Sequence, residues 1–226
     1  MSFKLNSASL LQHFAWIPLR LFGKLFCSFE IKGTENVKAV KNNIILASNH
    51  GSELDPLMLV AALPYFSHIL PLTFVSQSKD FYKDNPRSFF YGGKFFELMG
   101  AYPAYSGLND YKKSLKHHLA AIDAGNSVCI FPVGKKHKLK EYNNARGGVS
   151  YLALKTGLPI LPVKIEGLGG YGIKDYLRRK SNITVIFGEP VYFSDIFSES
   201  KDKKLLTSHK ECQKAAVKLM AIIGRL

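Results

Sequence analysis

The chain has 226 residues, 46% of them hydrophobic and including 16 Phe and 11 Tyr, enough for the core of one domain and incompatible with a disordered tail or linker. Lys and Arg number 31 against 17 Asp and Glu, a formal charge of +14, so the expected partner is anionic: nucleic acid, a lipid surface or a phosphorylated small molecule. Cys27, Cys129 and Cys212 are odd in number and scattered, which fits a reducing compartment better than a disulfide framework and offers no zinc-type spacing.

The N-terminal stretch SLLQHFAWIPLRLFGKLF, residues 9–26, mixes bulky apolar side chains with Arg20 and Lys24 around Pro18. No clean apolar run ends in a small-residue cleavage site, so a cleavable signal peptide is not expected. The stretch is also too interrupted for a span of ~20 apolar residues. Bulky apolar groups with interspersed cations suit a helix lying in the lipid headgroup zone; the plainer alternative is a helix packed on the body. The expected division is an amphipathic, interfacial segment over residues 1–27 and a main domain over residues 28–226.

Beyond it, β-rich runs predict strands over 29–31, 43–47, 72–76, 128–132, 160–165 and 183–187. Helical patterns cover 56–62, 86–99, 110–124, 148–155 and 203–223, and the alternation is that of an α/β fold. IILAS (44–48) and VCIFP (128–132) are continuously apolar, as strands are when helices cover both faces of a sheet. Within the second, Cys129 reads as a buried structural thiol. Sites in such folds lie beyond the C-terminal ends of the strands. The first run delivers His50 there and the second delivers residues 134–138, so the two loops are expected to share one crevice.

His50 and Asp55, in SNHGSELDPLML (48–59), are five positions apart. A histidine can take a proton from an attacking hydroxyl while a carboxylate on its other nitrogen fixes the tautomer. The competing reading makes Asp55 an N-cap before Pro56 and His50 a loop residue. Other candidates are weaker. GLGGYG (167–172) has the wrong spacing for a dinucleotide fingerprint and is expected to be a mobile loop; Gly134-Lys135 lacks the phosphate-loop pattern. Gly147 and Gly148 are expected to open the helix carrying Tyr151 and Leu154. His117 and His118, adjacent on a helix, diverge and suit the surface better than a metal.

The H-x4-D spacing at His50 and Asp55 resembles the motif of the glycerolipid acyltransferases, the group that includes the 1-acyl-glycerol-3-phosphate acyltransferases. FEIKGTENV (29–37) is similar to the strand and turn preceding that motif. AAIDAGNSVCIFPVG (120–134) is similar to the helix and strand leading to the family's F-P-E-G-T-R block, and GLPILPVKIEG (157–167) to its two-proline apolar block. Order and spacing agree over residues 29–192. The resemblance implies a glycerolipid-acyltransferase-like α/β sheet covered by helices, with His50 as general base and Asp55 as its orienter. It implies transfer of an acyl group from acyl-CoA or acyl-carrier protein to a hydroxyl of a lysophospholipid-like acceptor, with no cofactor beyond that donor. The implied location is peripheral, on the cytoplasmic face of a membrane; nucleic acid is not an expected partner, since no recognition motif for it occurs.

Two departures qualify this. Val133 stands where the family has glutamate, and Lys135-Lys136 where it has threonine-arginine. In MGAYPAYSG (99–107), Tyr105 or Ser106 stands where an arginine is usual. Phosphate binding is therefore expected from Gly134, Lys135, Lys136, Lys138 and Arg146, with His137 nearby and looser geometry than arginine's fork provides; the plainer reading of that run is a solvated basic loop. Val133→Glu is expected to shift acceptor preference towards glycerol-phosphate lipids. The altered block also leaves open a non-catalytic lipid- or partner-binding relative.

Overall fold

The structure is a computed structural model that describes residues 2–76, 97–105, 110–134, 142–168, 182–197 and 207–226. Within these, seven strands form one sheet in the order β1-β7-β6-β2-β5-β3-β4. The strands are β1 (Ser28–Lys32), β2 (Ile45–Ser48), β3 (Leu72–Ser76), β4 (Ala101–Pro103), β5 (Ser127–Ile130), β6 (Ile160–Glu166) and β7 (Asn182–Phe187). All neighbouring pairs are parallel except β6 with β7. The mixed α/β class matches the expectation.

The helices are α1 (Ser2–Phe26), α2 (Thr34–Ala39), α3 (Asp55–Ala62), α4 (Tyr111–Ser114), α5 (Lys116–Asp123), α6 (Gly148–Thr156), α7 (Phe193–Ile196) and α8 (His209–Arg225). Period-two alternation within the buried strands sends Leu46, Cys129 and Val163 to one face and Ile45, Ala47, Val128 and Ile130 to the other. The first face packs against α3 through Met58, Leu59 and Val60 and against α1. The second packs against α6 and α8 through Val149, Leu152, Leu219 and Ile223. This double covering explains why IILAS and VCIF carry no polar alternation.

One consequence of this layering positions the site. β2 and β5 are parallel neighbours, with Ala47 opposite Ile130, yet the chain leaves β2 for α3 on one face and leaves β5 for α6 on the other. Adjacent strands whose connections part to opposite faces open a crevice at their carboxyl ends.

Several elements differ from the sequence expectation. The strand over 128–132 stops at Ile130 because Phe131–Gly134 forms a turn, closed by Gly134 N–H donating to the Phe131 carbonyl at 3.0 Å, with Gly134 at φ 70°. The helix over 110–124 is broken at Leu115 into α4 and α5. β4, α2 and α7 were not anticipated. Most of the helix expected over 86–99, the start of that over 203–223, and residues 169–172 of the glycine-rich run lie outside the described residues. His118, expected at the surface, is 0% exposed. Its Nε2 lies 3.4 Å from the Phe74 carbonyl oxygen, and burial pushes its imidazole down to about 4.

α1 is a continuous helix through Pro18. Its inner face is bonded to the body: the Gln12 amide donates to the carbonyls of Leu72 and Met99 and accepts from Leu72 N–H, each at 2.8 Å. Trp16 Nε1 donates to the Leu63 carbonyl at 2.9 Å and Arg20 to that of Ala61 at 2.7 Å, satisfying carbonyls at the open end of α3. Leu10, Phe14, Ile17, Leu21 and Leu25 form an exposed stripe on its outer side, at the three- and four-residue spacing of one helix face. No described helix is long and apolar enough to cross a membrane.

Candidate active site

β2 ends at Ser48, and the next two residues set the site. Asn49 is buried and its side-chain amide grips β6, donating to the Ile165 carbonyl and accepting from Ile165 N–H, both at 2.7 Å. This two-point bond fixes the backbone immediately before His50. The imidazole Nδ1 then lies 2.8 Å from Asp55 Oδ2. Gly51 N–H and Ser52 N–H donate to the same oxygen at 2.7 and 2.9 Å. Asp55 is 1% exposed, whereas the His50 side chain is 19% exposed: the carboxylate is interior and the imidazole partly reaches the surface beyond the carboxyl end of β2.

These bonds bear on the capping reading of Asp55. A capping carboxylate accepts from N–H groups one turn into its own helix. Asp55 instead is itself the first residue of α3, makes no forward cap and reaches back to residues 50, 51 and 52. The capping reading is therefore set aside; Pro56 keeps its place at the helix start. With Asp55 accepting from Nδ1–H, the imidazole lone pair is on Nε2, and among the described residues nothing is hydrogen-bonded to that nitrogen.

The turn after β5 comes up beside this pair. The ring of Phe131 stacks on His50 with centroids 4.4 Å apart and planes 28° apart. Beneath them Cys129 is buried, and burial together with the nearby Asp55 charge pushes its thiol well above the ordinary range; it is no nucleophile. The Arg146 N–H donates to the Pro132 carbonyl at 2.8 Å, and the Arg146 guanidinium passes beside Gly134, within 3.6–3.8 Å of where a Cβ would stand. Val133 is 9% exposed and packs into the α6/α8 core, so its side chain is an anchor for the turn. Lys135, Lys136, His137 and Lys138 lie outside the described residues.

Of the sequence-nominated residues the structure thus brings together His50, Asp55, Gly134 and Arg146. Gly147 and Gly148 open α6 as expected; a Cβ on Gly147 would come within 2.5 Å of the Tyr111 hydroxyl and 2.6 Å of Cys212 Cβ. Sequence reasoning missed Asn49 and Phe131 as neighbours of the pair. Tyr105, near the position where arginine was expected, has the Lys116 ammonium 5.5 Å from its ring centroid. Among the described residues no group of three or more His, Cys, Asp or Glu could hold a metal ion.

A family model described as Acyltransferase matches residues 28–166, more than half of the chain and every element of the site just described. The chain belongs to the acyltransferase family. A probable 1-acyl-sn-glycerol-3-phosphate acyltransferase of Mycoplasma pneumoniae is 26% identical over 170 residues, covering 71% of this chain and 60% of that protein. A protein of the same description from Mycoplasma genitalium is 26% identical over 183 residues, 74% of this chain and 65% of its own length. A chloroplastic 1-acyl-sn-glycerol-3-phosphate acyltransferase of Brassica napus is 25% identical over 199 residues, 85% and 54% respectively. The acyltransferase chain therefore spans between about half and two thirds of the curated relatives it matches. In fold it is similar to the lysophosphatidic acid acyltransferase PlsC of Thermotoga maritima, with a TM-score of 0.53 at 18% identity, covering 93% of this chain and 79% of that one.

Proposed function

We propose that this acyltransferase moves a fatty acyl group from a thioester donor, acyl-CoA or acyl-carrier protein, to the hydroxyl of a lysophospholipid such as a 1-acyl-sn-glycerol-3-phosphate. The observation that carries this reading is the 2.8 Å contact of His50 Nδ1 with a buried carboxylate that two further donors, Gly51 and Ser52 N–H, hold in place. His50 Nε2 takes the acceptor's hydroxyl proton as the oxygen attacks the thioester carbon. The tetrahedral intermediate expels the thiolate, which receives the proton back from the imidazolium, so the base is regenerated and no protein nucleophile is needed. Arg146, and Lys135, Lys136 and Lys138 on the run that follows Gly134, hold the acceptor's or donor's phosphate. The relatives' names support the acceptor class.

Thiol release from a panel of acyl-CoAs in lipid micelles, with and without lysolipid acceptors, tests the reading. Acceptor-dependent release that falls about 10²–10⁴-fold in His50→Ala supports it; release that persists in the variant overturns the base role. The alternative, a non-catalytic binding relative, rests on Val133 and the missing arginine, and the assembled His50–Asp55 pair counts against it.

The stripe of Leu10, Phe14, Ile17, Leu21 and Leu25 is the surface by which the protein lies peripherally on a membrane. Lys24, exposed on the same helix, suits anionic headgroups, whereas Arg20 is engaged with the Ala61 carbonyl. Removing residues 1–27 would strip the bonds of Gln12, Trp16 and Arg20 from the core as well, so exposed positions give the cleaner test. Leu10→Ser with Phe14→Ser and Leu21→Ser should cut sedimentation with anionic liposomes at least about tenfold at unchanged thermal stability; undiminished binding removes the docking surface.

A further inference from the structure

We propose that Phe131 is a positioning residue for His50, acting on proton transfer through the face of the imidazole; the inference rests on the base role given above. The Asp55 contact restrains the imidazole at Nδ1, next to its covalent tether at Cγ, and a ring held at two adjacent atoms can still tilt about the line through them. The Phe131 ring, 4.4 Å away and inclined by only 28°, closes off one face and removes that freedom, which keeps Nε2 aimed at one place. Charge gives a second effect. The imidazole is neutral before proton transfer and cationic after it, and a cation over an aromatic face is stabilised by the ring quadrupole. The stack therefore favours the state that develops during reaction over the resting state, and such an interaction acts on kcat more than on KM.

Phe131 is itself well placed for this work. It follows β5 directly, its carbonyl accepts the turn-closing bond from Gly134 N–H, and the next peptide is held by Arg146 N–H on the Pro132 carbonyl. Val133, sunk in the opposite core cluster, and Phe131, packed at the rim of the first, splay to the two faces of the sheet. The turn is thus pinned from both sides, and the aromatic ring stands on a fixed base. A leucine at 131 would preserve most of the apolar contact with the core while losing the flat face.

The experiment uses the full chain with oleoyl-CoA and a 1-acyl-sn-glycerol-3-phosphate in mixed micelles. In Phe131→Leu, kcat should fall about fivefold, which is about 1 kcal/mol, at little-changed KM, and Phe131→Tyr should restore it. In the His50→Ala background Phe131→Leu should have no further effect, because a residue that works through the imidazole has nothing left to act on. The His50 ring C–H resonances should be shielded by the Phe131 ring in the wild type and move downfield in Phe131→Leu. Wild-type kcat in Phe131→Leu, an equal loss in both backgrounds, or unmoved His50 resonances would each overturn the proposal while leaving the base role intact. Wild-type protein without His50-dependent thiol release would instead remove the base role itself, and this proposal with it.

Discussion

The loop after β2 and the turn after β5 stand side by side above the same crevice, but they are held by opposite means. In the first, polar bonds do the holding: Asn49 grips β6 through both ends of its amide, and one Asp55 oxygen collects donors from His50, Gly51 and Ser52. In the second, the anchor is an apolar side chain, Val133, with backbone bonds at Phe131 and Pro132. A polar network holds its members at fixed angles, whereas packing fixes volume. The loop that carries the proposed proton acceptor is built the first way. The turn, which supplies a wall and a fixed base for its neighbours, tolerates the second.

The largest expected effect lies on the polar side. Asp55→Ala should depress acceptor-dependent thiol release by about 10²–10⁴-fold and also cost about 1–3 kcal/mol in denaturant unfolding, because two backbone N–H groups lose their acceptor. His50→Ala should match the kinetic loss with little change in stability, since its ring is at the crevice. If the two variants were equally stable, the account of Asp55 as a structural keystone of the loop would be wrong.

On the apolar side the expectation reverses. Val133→Glu puts a carboxylate into the α6/α8 core and should cost about 3 kcal/mol or more, read as a fall in the unfolding midpoint. The acceptor profile should not change, contrary to what the sequence alone suggested for this position. A stable variant with a new acceptor preference would place the side chain in the crevice after all.

A third probe lies away from both loops. Burial holds the His118 imidazole down at about 4, against an ordinary value of 6.5. Its neutral form is therefore favoured by folding, and that stabilisation is complete above the unfolded value and is lost as pH falls from about 6.5 to 4. The loss amounts to roughly 3 kcal/mol at most. His118→Phe should flatten this part of the stability-against-pH curve; an unchanged slope would assign the acid sensitivity to other groups. Asn49→Asp keeps an acceptor for Ile165 N–H but loses the donor and sets a buried carboxylate oxygen against the Ile165 carbonyl, so it should also cost about 3 kcal/mol or more in denaturant unfolding.

Much of this architecture could be read from the chain. IILAS and VCIFP announced buried parallel strands because neither face meets water, and strand ends then located His50 and the turn at residue 134 without further information. The His50–Asp55 partnership was legible as a spacing, but not its direction, since Asp-Pro is equally a helix start; only the donors from Gly51 and Ser52 separate the two. β4 could not be read, because a strand of three residues carries no period. The burial of His118 left a trace: Leu115, His118, Ala121 and Ile122 recur on one helical face, a pattern outweighed by the expectation that a histidine pair sits in water. The stack of Phe131 on His50 depends on the register of β2 with β5, which local sequence does not encode.

Among the described strands the one antiparallel joint lies between β6 and β7. Because β1 runs with β7, it runs against β2, so the start of β1 and the end of α1 arrive at the same end of the sheet as His50. On the proposed docking through the outer side of α1, this shared end would bring the His50 loop towards the bilayer, and the proposed lysolipid acceptor would reach it by lateral diffusion in two dimensions. Turnover should then follow the mole fraction of acceptor in the surface, and adding inert lipid at constant acceptor concentration should slow it by dilution alone.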